Sequence, residues 1–260
     1  MQIVTAKGPL VPLERLRAIM RRLRDPKTGC EWDTVQTFAT IAPYTIEEAY
    51  EVADAIARDD MDALADELGD LQLQVVFHAQ MAEEAGFFTL EDVIERISNK
   101  MERRHPHIFG DAEHGGHHLW EKIKAEERSV NPDKSALAGV ALALPALERA
   151  AKLQRRAARV GFDWPDRSGP RAKIDEELAE LDAETDHQRM LDELGDLLFA
   201  VVNLARHLNI EPEAALREGN AKFERRFREI EKTPGFSDLS LDEKEELWSA
   251  AKAAQAGSIA

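Results

Sequence analysis

Apolar side chains recur every three or four residues along most of this chain, which is the pattern of amphipathic helices with one buried face. Capping residues, prolines and glycines divide the pattern into segments. In the first half they predict helices over residues 12–24, 45–58, 61–85 and 89–104, and a shorter helix around 119–128. In the second half they predict helices over residues 144–158, 170–183, 188–208 and 212–232. The segment 30–44 is predicted to be irregular or to form short helical turns.

Three short motifs occur twice in the same order. EEAYE at 47–51 is followed by DELGD at 66–70, and EELAE at 176–180 is followed by DELGD at 192–196. The basic strings NKMERRH at 99–105 and AKFERRF at 221–227 complete the two copies. An internal repeat of this kind divides a chain of 260 residues into two domains. We predict a first domain over residues 12–128, a polar linker over 129–139 and a second domain over 140–260.

The composition narrows the class of protein. The formal net charge of −16 disfavours non-specific binding to nucleic acid or to anionic membranes. Cys30 is the single cysteine, which excludes an internal disulfide and a thiolate zinc site and fits a reducing compartment. The sequence contains no stretch of about 18 apolar residues and no signal-peptide core at its N-terminus. We therefore expect a cytoplasmic protein without a membrane partner.

The repeated acidic strings predict a metal site in each half. Their carboxylates are spaced three residues apart, so each pair projects from one face of a helix. Four clustered carboxylates repel one another unless a cation lies between them, and oxygen ligands favour Mg²⁺, with Mn²⁺ also possible. The predicted ligands are Glu48, Glu51, Glu67 and Asp70 in one half and Glu177, Glu180, Glu193 and Asp196 in the other. As an alternative, Glu48 could complete a capping box with Thr45, three residues before it.

Two further features of these strings need an explanation. Glu47 and Glu176 lie about 100° around the helix from their neighbours, so each could bind a second metal ion or act as the base for a water. Gly69 and Gly195 lie inside predicted helices, where glycine costs stability. We expect them to mark either a close approach of two helices or room for a ligand.

The basic strings could bind phosphate groups beside such a metal. Residues four apart on a helix share a face, and cations together with Mg²⁺ would balance the charge of a polyphosphate. An ordinary exposed helix with Glu–Arg pairs is the alternative. The chain has no Gly-x-x-x-x-Gly-Lys-[Ser/Thr] loop, so a P-loop is excluded. The cations are Lys100, Arg103 and Arg104 in the first half and Lys222, Arg225 and Arg226 in the second.

Other side chains could recognise a base. Trp32, Phe162 and Trp164 lie in turn-like segments and could stack on a base or simply fill space in the packing. Asn203 lies on an apolar helix face where the first half has Phe77, and a buried Asn needs hydrogen-bond partners. It could therefore read a base or a sugar hydroxyl.

The histidines raise a competing possibility. Zinc binding is conceivable at five of them, but their segment is Gly-rich and has no counterpart in the second half, which favours a solvated loop. The five are His105, His107, His114, His117 and His118. Glu102–His105 and Glu184–His187 match the E-x-x-H string of di-iron bundles, but they lie at helix ends in non-equivalent places.

Taken together, these strings resemble the MazG nucleoside triphosphate pyrophosphohydrolases over nearly the whole chain. The segments that carry the resemblance are MRRLRDPKTGCEWDTVQTFATIAPYTIEEAYEV, DELGDLQLQVVFHAQMA, ERRHPHIFGD, VGFDW, DELGDLLFAVVNLARHL and KFERRFREIE. The resemblance implies an all-α tandem repeat of two four-helix-bundle-like MazG domains, assembled as a homodimer. It also implies Mg²⁺-dependent cleavage of NTPs and dNTPs to the monophosphate and pyrophosphate, with a broad base range.

The resemblance implies roles for individual residues as well. The eight carboxylates correspond to the family's metal ligands, and Lys222 and Arg226 to its phosphate-side cations, with Arg225 in the same string. The resemblance assigns the contacts with the base to Phe162, Trp164 and Asn203. Water would attack the α/β-phosphate linkage with Glu176 or Glu177 as general base, while Lys222 and Arg226 neutralise charge on the departing pyrophosphate.

The two halves resemble the family unequally. The second half carries VGFDW, Asn203 and KFERRF, whereas the first has Phe77 in place of Asn203 and lacks VGFDW. We therefore expect the second domain to be the main active one. A non-catalytic nucleotide sensor or scaffold, and a narrower dUTP or dCTP pyrophosphatase, remain alternatives.

Overall fold

The computed structural model describes residues 4–5, 8–9, 11–110 and 132–256, and its contacts divide the chain into the units Met1–Glu126 and Glu127–Ala260. The first unit begins with a two-stranded antiparallel ladder of Val4–Thr5 (β1) and Gly8–Pro9 (β2). Its helices are α1 (Pro12–Leu23), α2 (Glu31–Thr34), α3 (Phe38–Ala57), α4 (Met61–Glu84), α5 (Leu90–Arg104) and α6 (Pro106–Phe109).

The second unit is built from five helices in its described part. They are α7 (Ala146–Ala158), α8 (Ser168–Ala183), α9 (His187–His207), α10 (Pro212–Ile230) and α11 (Leu241–Ala256), with a 3₁₀ turn at Phe236–Asp238. The boundary of the predicted linker stays a prediction, because residues 129–131 and the helix expected around 119–128 lie outside the described residues.

The first unit packs four helices around one apolar core. Helix α4 contacts α1, α3 and α5. Met20, Ile41, Phe77 and Leu90 come from these four helices in chain order and belong to one buried cluster. Burial of a large apolar side chain contributes about 1.5–3 kcal/mol, so this shared core holds the bundle together.

The second unit repeats the arrangement. Helix α9 packs against α8 and α7, and α10 packs against α7 and α9 and then against α11. Its buried residues Ala151, Pro170, Val202 and Ile230 also come from four different helices. The all-α fold and the tandem repeat predicted from the sequence are thereby confirmed. Across the described residues, no helix is both apolar enough and long enough to cross a bilayer.

The prediction of a helix start at Thr45 is wrong. Helix α3 begins seven residues earlier, because Thr37 and Thr40 form a reciprocal capping box and the helix tolerates Pro43 inside it. The Thr45 hydroxyl lies inside the helix, 3.0 Å from Nε2 of His78. Glu48 therefore does not complete a capping box with Thr45.

Helix α11 was not predicted. It packs against α10, where the rings of Phe223 and Trp248 lie 5.2 Å apart. A capping box marks its start in the sequence. The backbone N–H of Ser240 donates to Glu243 Oε2 at 2.8 Å, and the backbone N–H of Glu243 donates to Ser240 Oγ at 3.3 Å.

Candidate active site

The second unit gathers carboxylates between α8 and α9. Oxygens of Glu177, Glu180 and Glu193 all lie within 4.8 Å of one another. Glu177 is only 2% exposed. Burial, followed by the charges of Glu180, Glu177 and Asp196, raises the pKa of Glu193, as expected where like charges are held together. The spacing of the acidic strings thus brings these side chains together, while their role as metal ligands stays a prediction.

A similar cluster lies between α3 and α4 of the first unit. Oxygens of Glu48, Glu67 and Asp70 lie within 4.8 Å of one another. Burial raises the pKa of Glu48, and the charges of Asp70 and Glu51 add to the effect. Burial and then the charge of Glu51 likewise raise the pKa of Glu67, so the fourth predicted ligand acts on this cluster too.

A lysine that the sequence analysis missed lies against the second cluster. Lys173 Nζ is 2.5 Å from Glu177 Oε1 and 2.9 Å from Glu176 Oε1. These two contacts raise the pKa of Lys173, which therefore stays charged. The sequence contained the signal, because Lys173 precedes the two glutamates by three and four residues and shares their helix face.

Beside the carboxylates lies a cavity of about 730 Å³. Two of the predicted metal ligands, Glu177 and Asp196, form part of its wall, so the cavity and the acidic cluster are continuous. The three predicted base-side residues also line it: Phe162, Trp164 and Asn203. The volume suits a nucleotide-sized ligand, since small-molecule sites commonly enclose about 300–1,000 Å³.

The loop that carries the two aromatic residues is held by an ion-pair network. Arg206 Nη1 donates to Asp163 Oδ2 at 2.8 Å, and Nη2 donates to Oδ1 of the same carboxylate. His207 Nε2 lies 3.1 Å from Asp163 Oδ1. Hydrogen bonding to Arg206 lowers the pKa of Asp163. A Cβ added at Gly169 would overlap the Trp164 indole, so only glycine permits this packing.

The predicted phosphate-side cations lie apart from the cavity wall. Lys222, Arg225 and Arg226 project from α10 and are not among the described residues that line the cavity. Arg226 Nε instead donates to Gln255 Oε1 at 2.9 Å, and its guanidinium lies over the Trp248 ring. Their role in phosphate binding stays a prediction, as does that of the equivalent cations on α5: Lys100, Arg103 and Arg104.

In the first unit, aromatic rings cluster around Trp32. Trp32 makes edge contacts with Tyr44 at 6.0 Å and with Phe77 at 6.4 Å, and Arg24 lies over the Phe77 ring. Packing therefore accounts for the contacts of Trp32.

The DELGD glycines do not mark a close approach of helices. A Cβ built at Gly69 or Gly195 meets no neighbouring atom within 4 Å. Of the two explanations considered for these glycines, room for a ligand remains.

The histidine alternatives gain no support from the described part of the chain. The groupings there that could hold a metal consist of carboxylates alone. His105 and His107 have ring centroids 5.7 Å apart, and His114, His117 and His118 lie outside the described residues.

Comparison with known proteins agrees with this geometry. The MazG nucleotide pyrophosphohydrolase domain matches residues 36–109 and 174–230, which include both acidic clusters. The chain is 51% identical over 254 residues to the nucleoside triphosphate pyrophosphohydrolase of Escherichia coli K12, covering 92% of this chain and 97% of that protein. It is 45% identical over 244 residues to a Thermotoga maritima protein named nucleoside triphosphate pyrophosphohydrolase/pyrophosphatase MazG, covering 92% and 95%. A Bacillus subtilis protein, YabN, is 46% identical over 249 residues, which are 91% of this chain and 50% of that protein. The chain therefore belongs to the MazG nucleotide pyrophosphohydrolase family, a family of hydrolases.

Proposed function

We propose that this protein hydrolyses nucleoside and deoxynucleoside triphosphates to the monophosphate and pyrophosphate, and does so mainly in its second unit. The observation that carries the proposal is the continuity of the acidic cluster with the 730 Å³ cavity through Glu177 and Asp196. Phosphates at the carboxylates would place the base among Phe162, Trp164 and Asn203. One nucleotide can thus span both parts of the site.

The acidic cluster fits a hard divalent cation, which we propose to be Mg²⁺, with Mn²⁺ able to replace it. Glu177, Glu180, Glu193 and Asp196 would hold the ion, because they offer only oxygen donors. Burial and then the repulsion of the neighbouring carboxylates raise the pKa of Glu193. When bound, the ion supplies charge neutralisation at the phosphates and Lewis acidity toward water.

The remaining charged side chains suggest a division of roles. Lys173 contacts both glutamates, but Glu177 is buried in the cluster whereas Glu176 is exposed. We therefore favour Glu176 as the base that takes a proton from the attacking water. Lys173, already in the cavity wall, is a further candidate for contact with phosphate. Lys222 and Arg226 on α10 would balance charge on the departing pyrophosphate.

The assignment to the second unit rests on the contrast between the two halves. Both units hold an acidic cluster, but the first unit has the buried Phe77 where the second has Asn203 in the cavity wall. A phenyl ring cannot form the hydrogen bonds to a base that an amide can form. We infer that the first unit contributes little turnover.

The test is pyrophosphate release from a panel of NTPs and dNTPs, in Mg²⁺ and in EDTA. Glu193→Ala and Glu67→Ala form a matched pair, since both positions belong to the repeated DELGD string. We expect one pyrophosphate per monophosphate, dependence on Mg²⁺, most turnover lost in Glu193→Ala and most retained in Glu67→Ala. Equal losses in the two variants would overturn the assignment to the second unit.

The same panel separates the alternative functions. Nucleotide binding without turnover would favour a sensor, and turnover restricted to dUTP or dCTP would favour a narrow pyrophosphatase. Broad turnover supports the proposal.

A homodimer is part of the proposal. Helix α9 exposes a row of apolar side chains at helical spacing: Leu191, Leu194, Leu198 and Val201, which are 43–57% exposed. Leu68 and Val75 repeat two of these positions on α4 of the first unit. Exposed apolar rows of this length are typical of helix–helix interfaces. Light scattering at several concentrations would detect the dimer, and Leu198→Glu should shift it toward the monomer.

A further inference from the structure

Two buried side-chain amides line the cavity of the second unit. Gln154 on α7 is 5% exposed and Asn203 on α9 is 7% exposed, and both residues line the cavity. Each amide carries an acceptor oxygen and a donor NH₂ group, so the way each is turned decides what it offers to a ligand.

The partner of Asn203 determines its orientation. Asn203 Oδ1 accepts hydrogen bonds from Arg206 Nε at 3.2 Å and from Arg206 Nη2 at 2.7 Å. A guanidinium has only donors, so the oxygen must face it and the NH₂ group must point the other way. Asp163 in turn fixes the guanidinium. Asn203 is therefore held as a hydrogen-bond donor.

The partner of Gln154 turns that residue the opposite way. Gln154 Nε2 donates to the backbone carbonyl of Phe199 at 2.8 Å, and a carbonyl can only accept. Gln154 Oε1 is left buried without a hydrogen-bond partner. Among the described residues that line this cavity, no other side chain has a buried polar atom without a partner. A buried unpaired oxygen costs about 1–3 kcal/mol, which a ligand with a donor group would recover.

The first unit has apolar residues at the two matching positions. Aligning LER at 13–15 with LER at 147–149 places Met20 opposite Gln154, and the DELGD strings place Phe77 opposite Asn203. Met20 and Phe77 are 1% and 4% exposed and belong to the same apolar core. The repeat thus accepts apolar residues at both positions. Bundle packing alone does not require the two amides.

We propose that Gln154 and Asn203 read the hydrogen-bonding edge of the nucleobase, with Gln154 as acceptor and Asn203 as donor. This inference rests on the proposed function and specifies how its substrates are recognised. The edge of each common base offers a donor next to an acceptor: the amino group and ring nitrogen of adenine and cytosine, or the ring NH and carbonyl of guanine, uracil and thymine. Adenine and cytosine present the two groups in the opposite order from guanine, uracil and thymine, so the pair would match the two kinds of base in opposite orientations. It would discriminate against bases without a donor.

The first experiment changes the substrate and needs no variant. Steady-state kinetics would compare ATP with purine riboside 5′-triphosphate, which lacks the 6-amino group, and CTP with the triphosphate of pyrimidin-2-one riboside, which lacks the 4-amino group. We expect kcat/KM to fall by about tenfold for each analogue, mainly through a higher KM, because Gln154 Oε1 again stays unpaired. Equal kcat/KM within each pair would overturn the proposal.

A variant then locates the effect. Gln154→Met introduces the residue that the first unit carries at this position. It should lower kcat/KM for ATP about tenfold. In this variant, ATP and purine riboside 5′-triphosphate should then have the same kcat/KM. If a variant that retains its thermal unfolding temperature still discriminates between ATP and the analogue, Gln154 is not the acceptor. If the wild-type protein releases pyrophosphate from no natural triphosphate, the proposed function itself fails, which is a different result from turnover without discrimination.

Discussion

The ion pair between Asp163 and Arg206 should be a measurable part of the stability of the second unit. The Arg206 and Asp163 side chains are 14% and 24% exposed, and one of their contacts is 2.8 Å long. At that distance the Coulomb attraction is about 1.5 kcal/mol in water and about 6 kcal/mol at an effective permittivity of 20. Desolvation of two largely covered charges offsets much of the larger value. We therefore expect a coupling free energy of about 2 kcal/mol.

A double-mutant cycle measures this coupling. The variants are Asp163→Ala, Arg206→Ala and the double variant, and urea unfolding gives the free energy of each. The cycle cancels the separate contacts of Arg206 with Asn203 and of Asp163 with His207. A coupling below about 0.5 kcal/mol would refute the reasoning, because it would place the pair among exposed ion pairs of little net value.

The same pair should influence activity through the loop that it holds. Asp163 lies between Phe162 and Trp164, both of which line the cavity. Freeing this loop should raise KM for nucleoside triphosphates more than it lowers kcat, since the acidic cluster does not include Asp163. A loss confined to kcat would contradict this account.

Three further predictions concern the surroundings of the same site. Gly169→Ala should push the Trp164 indole out of place and raise KM about tenfold through lost stacking on the base, and an unchanged KM in steady-state kinetics would contradict it. Gly195→Ala adds a methyl group in open space inside α9, so it should stabilise the EDTA-treated protein by about 0.5–1 kcal/mol in urea unfolding; destabilisation would show that something occupies this space. Because burial and neighbouring carboxylates raise the pKa of Glu193, the carboxylate of Glu193 binds a proton more tightly in the folded state than in the unfolded chain. Without metal, stability should rise as pH falls through the raised pKa and level off below the ordinary value near 4.3, and Glu193→Gln should weaken that rise in thermal unfolding; an identical pH profile would count against it.

The parts of the site that follow from helix periodicity could be predicted from the sequence. Carboxylates three residues apart must share a helix face, so both acidic clusters followed from the spacing of EExxE and ExxD. Lys173 obeys the same rule toward Glu176 and Glu177 and could have been found in the same way. The start of α11 was equally readable in Ser240 and Glu243.

Other parts depend on contacts between helices and had no local signal. Gln154 becomes significant only because α7 turns it toward α9, where Phe199 takes its NH₂ group and leaves its oxygen unpaired. Arg206 likewise reads as an ordinary basic residue near a helix end until Asp163 is placed against it. The start of α3 was missed for a different reason, since the helix was predicted to begin at Thr45 and the capping box of Thr37 and Thr40 lies before it.

The contrast between the two units can be stated as a difference in stability. Met20 and Phe77 fill the first unit's core with apolar side chains, and each contributes about 1.5–3 kcal/mol by burial. At the matching positions the second unit carries Gln154 and Asn203 beside an open cavity, and one of the amide oxygens is buried without a partner. At these two positions the second unit thus gives up apolar packing and leaves an amide oxygen unpaired, in a framework that accommodates the apolar alternative. A bound ligand with a donor group would pair with the Gln154 oxygen and remove that cost. Nucleoside triphosphates should therefore stabilise the second unit more than pyrophosphate alone does.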